Sequence, residues 1–118
     1  MNKYKRADRV AALLREEVSN YLLFEMKNAD LGFMTITRVR VSDDLRHARI
    51  FYSVFGEQER IDQTIKRLAQ LTGPIRGEMG HRLGLRYVPE MEFSYDDSAV
   101  YAAHIQEVIE KIHREEKS

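Results

Sequence analysis

The sequence contains no cysteine, no tryptophan and only two prolines among its 118 residues. The lack of cysteine excludes disulfide bonds and thiolate metal ligands, and it is typical of a reducing compartment, so we expect a cytoplasmic location. No apolar run approaches the roughly 18 residues that a membrane-spanning helix needs. The basic start MNKYKRADRV is not followed by an apolar stretch, so we expect no secretory signal.

The chain also lacks net charge, but its charges are unevenly distributed. Residues 1–89 hold 16 basic and 11 acidic residues, a net of +5, whereas residues 90–118 hold 3 and 8, a net of −5. Such polarity suits a protein that presents a positive face to a polyanion, although an uneven solvated surface would give the same counts. Since 43% of the residues are hydrophobic and 32% charged, we expect one globular domain over residues 1–118.

Hydrophobic periodicity predicts the order α-β-β-α-(break)-α-β-α. Helical spacing predicts a first helix from Asp8 to about Met26, after a basic tail over residues 1–6. The stretches FMTITRVRV and HARIFYSVF alternate as strands of an antiparallel hairpin, and MEFSY predicts a third strand. The long helical connection between strands two and three favours a parallel crossover. The expected sheet is therefore three-stranded and mixed, with helices on one face.

The hairpin and the last helix each show two unlike sides. In the hairpin, Val39 and Val41 should share a face with buried residues of the second strand, while the other face carries Arg38, Arg40, His47 and Arg49. Asp97 or Ser98 is expected to cap the last helix, which ends in a frayed charged tail over residues 114–118. Its buried side is predicted to carry Ala102, Ile105, Val108, Ile109 and Ile112.

The stretch from Glu57 to Gly84 has the pattern of a helix, yet Gly73-Pro74 lies in its middle. Proline lacks an N–H group and its ring collides with the preceding turn, so we expect one helix to end at Gly73 and the next to begin at Pro74. An apolar stripe keeps its phase across this point, which indicates a kink and not a long turn. The stripe consists of Ile61, Ile65, Leu68, Thr72, Ile75, Met79 and Leu83.

Four glycines lie together on the opposite side of this helical stretch, at positions 73, 77, 80 and 84. A glycine in a helix costs about 1 kcal/mol relative to alanine, so this choice calls for a reason. A bare helix face beside Lys66 would let a phosphate backbone approach closely. Alternatively, the glycines pack against a neighbouring element or are loose positions. The sequence leaves both explanations open.

Catalytic and metal-binding patterns are absent from the sequence. The four histidines show no spacing that places two ligands on one helix face, and the pairs Asp43-Asp44 and Asp96-Asp97 stand where turns and helix caps favour carboxylates. No nucleophile motif, P-loop or dinucleotide fingerprint is present. We therefore expect no enzymatic activity, no metal and no cofactor.

An ordered series of motifs resembles the bacterial ribosome-binding factor A family over nearly the whole chain. The most specific parts are VSDDL from Val41 with Ala48 following, IR at Ile75-Arg76, LGLRYVPEMEF from Leu83, and DDS from Asp96. The resemblance implies an α+β, type II KH-like fold, α-β-β-α-kink-α-β, with a C-terminal helix added here. It also implies a non-catalytic protein that binds the free 30S ribosomal subunit and precursor 16S ribosomal RNA, assists late maturation of its 5′ end, and matters most in the cold. We expect a monomer.

The family resembles KH domains but replaces their GXXG loop with an Ala-x-Gly kink between helices. The matching residues here are Leu71, Thr72, Gly73 and Pro74, so the glycine is kept and the alanine is not. A literal GEMG occurs at Gly77 to Gly80, but it lies within the second helix and Glu78 would repel a phosphate. We do not expect it to act as a nucleic-acid loop.

Basic residues become candidate ribosomal RNA contacts through this resemblance. Arg76 is the strongest of them, because it would lie just inside the new helix start, where anions bind readily. Three hairpin arginines could instead pair across the sheet with Glu90 and Glu92. An adaptor that contacts basic ribosomal proteins through its acidic last helix is a further alternative. The candidate contacts are Lys3, Lys5, Arg6, Arg9, Arg38, Arg40, Arg46, Arg49, Lys66, Arg76 and Arg82.

Overall fold

The computed structural model describes the backbone of residues 2–26 and 30–117, and the side chains of residues 6–26, 30–98 and 106–115. Helix α1 spans Asn2–Asn20 and continues into a π-helical turn, Tyr21–Glu25. The helix thus begins six residues before the predicted start at Asp8, and the predicted basic tail is wrong from Asn2 onward. Lysine, arginine and alanine all favour helix, and no glycine or proline interrupts them.

The three strands form one mixed sheet in the order β1-β2-β3, as predicted. Strand β1 (Phe33–Val41) pairs antiparallel with β2 (His47–Phe55), and β3 (Glu90–Tyr95) pairs parallel with the other edge of β2. The pairing of β1 and β2 shifts by one residue between Ile36 and Arg38, which leaves Thr37 as a β-bulge. Each strand therefore presents one face to the helices and one face away from them.

Helix α2 (Gln58–Leu83) crosses from β2 to β3 as one continuous helix with Pro74 inside it. The predicted end at Gly73 and fresh start at Pro74 are therefore wrong. A proline inside a helix removes one hydrogen bond, but buried residues on both sides of it hold the helix against the sheet. Because such a proline bends the helix axis, the kink at Leu71, Thr72, Gly73 and Pro74 stays a prediction within a single helix.

The core lies between the sheet and the two helices α1 and α2. Its fully buried side chains include Leu14, Ile50, Tyr52, Leu68 and Ile75. The buried stripe of α2 is rotated slightly from the predicted one, because α1 packs along one side of it. Thr64 and Leu71 are buried in place of Ile65, which is 37% exposed, and Thr72 and Leu83 are only half-buried.

Helix α3 spans Ser98–Lys117, so the predicted frayed tail from residue 114 is helical up to Lys117. A carboxylate oxygen of Asp96, and not of Asp97, accepts the first free N–H of this helix, from Ser98 at 3.0 Å. Val108, Ile109 and Ile112 were expected to be buried, but they are 42 to 49% exposed because this part of α3 extends away from the core. The side chains of Ala102 and Ile105 lie outside the described part of the chain. Within that part, no helix is long and apolar enough to cross a membrane.

Candidate nucleic-acid interface

The face of the sheet that points away from α1 and α2 carries an unusual mixture of arginines and phenylalanines. Along β2, the side chains at alternate positions from His47 to Phe55 point outward, whereas Ala48, Ile50, Tyr52 and Val54 are buried. We call this the outer sheet face. Its members on β1 and β2 are Phe33, Thr35, Arg38, Arg40, His47, Arg49, Phe51, Ser53 and Phe55.

The bulge at Thr37 decides which β1 residues belong to the outer sheet face. Before the bulge, Phe33 pairs with Phe55. After it, Arg38 pairs with Phe51 and Arg40 with Arg49. Without the extra residue, strict alternation from Phe33 would have turned Arg38 toward the core.

Two arginines of the outer sheet face form no salt bridge among the described residues. The Arg38 guanidinium carbon lies 4.2 Å from the ring centroid of Phe51, which is a cation–π contact. Arg40 lies directly opposite Arg49, a like-charged neighbour. Arg49 is paired on its other side, where Nη2 lies 3.3 Å from a carboxylate oxygen of Glu92. The expected pairing with β3 therefore forms for Arg49, while Arg38 and Arg40 keep their positive charge available.

A shallow depression of about 610 Å³ lies on the part of this face nearest the β1–β2 turn. Basic side chains from β1 and β2 line one side of it, and the carboxylates of Glu90 and Glu92 line the other. The outer sheet face is thus most positive along β1 and becomes acidic toward β3.

Arg76, the strongest candidate from the sequence, is bound to the segment that leads into β3. Its Nε donates to the Pro89 carbonyl at 3.0 Å and its Nη2 donates to the Val88 carbonyl at 2.8 Å. Glu90 lies 3.6 Å from the same Nη2. Because α2 does not begin at Pro74, there is also no helix N-terminus beside Arg76 to attract an anion. We therefore interpret Arg76 as a structural residue.

Arg82 lies in a second structural cluster, between α2 and the end of α1. Its guanidinium is 3.0 Å from Glu78 and 3.5 Å from Glu17, and it also pairs with Glu25 and lies over the Tyr21 ring. These carboxylates, with the hydrogen bond to Glu78 first, raise the pKa of Arg82 further above its usual value. Three acids around one base leave little positive potential for RNA.

The other predicted contacts do not form one surface. Arg6 and Arg9 are exposed on α1, and Lys66 is exposed on α2, so these three belong to the helical side of the molecule. Arg46 is exposed in the β1–β2 turn. The side chains of Lys3 and Lys5 lie outside the described residues. Among the predicted contacts whose side chains are described, only Arg38, Arg40 and Arg49 come together, on the outer sheet face.

The helix glycines also divide into two groups. Gly73 and Gly77 are exposed, and a methyl group added to either would meet nothing within 4 Å. A methyl group at Gly80 would lie 3.2 Å from Cγ2 of Val88, so this glycine is a packing position. Gly84 ends α2 in the left-handed conformation, with φ of 63°. The GEMG sequence is helical and forms no loop.

Sequence reasoning identified the arginines of the outer sheet face but missed its aromatic residues. Phe33 and Phe55 are 81% and 83% exposed, and they lie opposite each other at one end of the hairpin. Alternation along β2 places Phe55 on the same face as His47 and Arg49, whereas the bulge at Thr37 conceals the position of Phe33 in the sequence. Among the described residues, no group of three potential ligands could hold a metal ion.

Comparison with known proteins identifies the family. The family model for ribosome-binding factor A matches residues 6–109. The ribosome-binding factor A of Halothermothrix orenii is 42% identical over 116 residues, covering 98% of this chain and 95% of the relative. The crystal structure of ribosome-binding factor A from Thermus thermophilus matches with a TM-score of 0.63 at 18% identity, covering 75% of this chain and 94% of that one.

A homology model of the Thermus thermophilus protein, fitted into a cryo-EM map of its complex with the 30S subunit, matches with a TM-score of 0.62 at 20% identity. It covers 74% of this chain and 91% of the fitted one. These structural matches confirm the α+β, KH-like fold class. On the strength of the sequence matches, the chain belongs to the ribosome-binding factor A family.

Proposed function

We propose that this protein is a non-catalytic assembly factor of the cytoplasm that binds the free 30S subunit and precursor 16S ribosomal RNA as a monomer. The observation that supports RNA binding best is the outer sheet face, where Arg38 and Arg40 form no salt bridge within the described part of the chain. The fitting of a Thermus thermophilus relative into a map of a 30S complex supports the choice of partner.

Binding of the purified chain to isolated 30S subunits over a series of salt concentrations tests this proposal. Phosphate contacts release counterions, so log affinity should fall steeply and linearly with log salt. Arg38→Gln with Arg40→Gln should weaken binding and flatten this slope. Lys111→Gln, which removes an exposed cation from α3, is the matched control and should change neither quantity. A flat slope for the unaltered chain would contradict an RNA-based contact.

The proposed role in 16S maturation needs a separate cellular test. Cells that lack the protein should accumulate 16S precursor with an unprocessed 5′ end and should grow poorly in the cold. Expression of the unaltered chain should restore both properties, and expression of the Arg38→Gln, Arg40→Gln variant should not. Full restoration of processing and growth by that variant would mean that the maturation of 16S RNA does not depend on the outer sheet face.

A second candidate function is supported by α3, whose exposed Val108, Ile109 and Ile112 lie in the same stretch as the exposed acids Glu107 and Glu110. In this adaptor hypothesis, α3 contacts basic ribosomal proteins and RNA contact is incidental. Two separate variants test it: truncation after Ser98, which keeps Asp96 and its contacts, and charge reversal at Glu107 and Glu110 in the full chain. Loss of 30S binding in these variants, with normal binding by the Arg38→Gln, Arg40→Gln variant, would favour the adaptor.

A further inference from the structure

We propose that the outer sheet face binds single-stranded RNA by stacking unpaired bases. In this mode one base stacks on the Phe33–Phe55 pair, a second stacks on the Arg38 guanidinium, and Arg40 contacts a phosphate beyond the second base. The inference rests on the proposed function and specifies the form of RNA that this face recognises.

The exposure of Phe33 and Phe55 is the first argument. At 81% and 83%, these rings are among the most exposed large apolar side chains of the described residues, and their residues are directly paired across the β1–β2 ladder. Single exposed apolar residues are common, but two neighbouring aromatic residues exposed on the sheet face that points away from α1 and α2 are typical of a binding surface. A flat aromatic ring accepts any base by stacking, without regard to its sequence.

The geometry of Arg38 is the second argument. Phe51 supports one side of its guanidinium at 4.2 Å, and the arginine side chain is exposed, so its opposite side is open to a ligand. Bases of single-stranded RNA stack on arginine planes as well as on aromatic rings. Phe51 holds that plane in place before RNA arrives, which lowers the entropy cost of binding.

Charge identifies the occupant as a nucleic acid. Arg40 lies beyond the Arg38 stacking position, toward the β1–β2 turn, and is directly opposite Arg49. Two like charges at a cross-strand pair are unfavourable in the free protein. A polyanion relieves that repulsion, whereas an apolar protein partner would bury it. Glu90 and Glu92 are on β3, away from the β1 side. Asp96 interacts electrostatically with Arg38, but its carboxylate already accepts hydrogen bonds from Thr37 and Ser98.

The spacing of the two stacking positions favours a single strand over a duplex. Phe51 and Phe55 are four residues apart on β2, which corresponds to about 13 Å along the strand. A flexible single strand can turn bases toward both positions. In an A-form duplex the bases are already paired and stacked, and they are not available to a flat protein surface.

The test compares binding of the full chain to a fluorescent unstructured RNA oligonucleotide and to a duplex of the same sequence. Phe33→Ala with Phe55→Ala should weaken binding of the single strand by about 5- to 150-fold, with an unchanged salt slope. Arg40→Gln should instead lower the slope by about 0.7. Tyr87→Ala removes an exposed ring elsewhere and should have no effect. Since Phe33 and Phe55 are exposed, their variants should melt at the temperature of the unaltered chain.

Two results would overturn the inference. The first is equal affinity for single strand and duplex. The second is unaltered oligonucleotide binding by the double phenylalanine variant; if that variant also loses 30S binding, the face binds protein. In both cases, 30S binding by the unaltered chain that falls steeply with salt still supports the proposed function.

Discussion

The Thr37 hydroxyl donates a 3.0 Å hydrogen bond to a carboxylate oxygen of Asp96, and so connects the bulge of β1 to the residue that follows β3. Asp96 has two further roles. Its backbone N–H donates to the Tyr52 carbonyl, and its other carboxylate oxygen accepts the N–H of Ser98 at the start of α3. One side chain therefore links both edges of the sheet and the last helix.

Asp96 should make stability depend on acid pH. Hydrogen bonds from Ser98 and then from Thr37 hold the pKa of Asp96 below its usual 3.8. A lowered folded pKa contributes stability that is complete above 3.8 and is lost as pH falls through the folded value. Asp96→Ala should therefore destabilise the protein at pH 7, and the difference from the unaltered chain should shrink in strong acid.

Urea unfolding at neutral and acid pH measures this difference. Asp43→Ala, which removes an exposed carboxylate from the β1–β2 turn, is the control and should not reproduce the pH dependence. An equal loss of stability at both pH values would mean that the Asp96 charge is not involved.

Arg76 should contribute to stability more than to RNA binding. Its two hydrogen bonds hold the backbone of Val88 and Pro89, and a lysine cannot donate to both carbonyls in the same planar geometry. Arg76→Lys should lower the free energy of unfolding by about 1–3 kcal/mol. The neighbouring exposed Lys66→Ala should change it by less than about 0.5 kcal/mol. If Arg76→Lys leaves stability unchanged but weakens 30S binding about tenfold, Arg76 is an RNA contact and not a structural residue.

The helix glycines should respond differently to alanine. Gly77→Ala should stabilise the free protein by about 0.5–1 kcal/mol, because alanine favours helix and the added methyl group meets nothing. Gly80→Ala should stabilise the protein less, because the added methyl group would lie 3.2 Å from Val88. Gly84→Ala should destabilise the protein, because the φ angle of Gly84 is 63°. Thermal unfolding gives this order. If Gly77→Ala also weakens 30S binding, the bare helix face admits RNA; if binding is unchanged, the glycine is only a loose helix position.

Replacement of Arg82 should expose repulsion among its three acidic partners. In Arg82→Gln, Glu17, Glu25 and Glu78 lose the cation between them. The loss of stability should be largest at low salt and smaller in high salt, which screens the repulsion among the three carboxylates. A combined Arg82→Gln, Glu25→Gln variant should recover part of it. A loss of stability that does not change with salt concentration would indicate that Arg82 acts through packing alone.

The sheet was predictable because its strands alternate cleanly and a long helical segment separates β2 from β3. The same reasoning placed Arg38 and Arg40 on the exposed face correctly. It could not extend that face to Phe33, because the bulge at Thr37 reverses which alternate residues of β1 point outward. No property of Thr37 itself predicts a bulge. Periodicity specifies a face only within an unbroken strand.

Two other differences have a tertiary origin. Local chemistry predicted a helix end at Gly73, but packing on both sides of Pro74 keeps α2 continuous. Arg76 was the strongest predicted RNA contact because of its proximity to the helix start predicted at Pro74. Its hydrogen bonds to Val88 and Pro89 instead depend on a segment 12 to 13 residues away in sequence. Long-range partners of this kind leave no local pattern in the sequence. An arginine that is free to bind RNA therefore cannot be distinguished there from one that is hydrogen-bonded within the protein.

The parallel pairing of β2 with β3 has a consequence for synthesis. The hairpin of β1 and β2 can form once Phe55 has emerged from the translating ribosome, but the far edge of β2 has no partner until β3 arrives some 43 residues after His47. During that interval an open, apolar strand edge is a template for aggregation. Variants that slow the formation of α2 should therefore reduce the yield of soluble protein even when the finished molecule is stable.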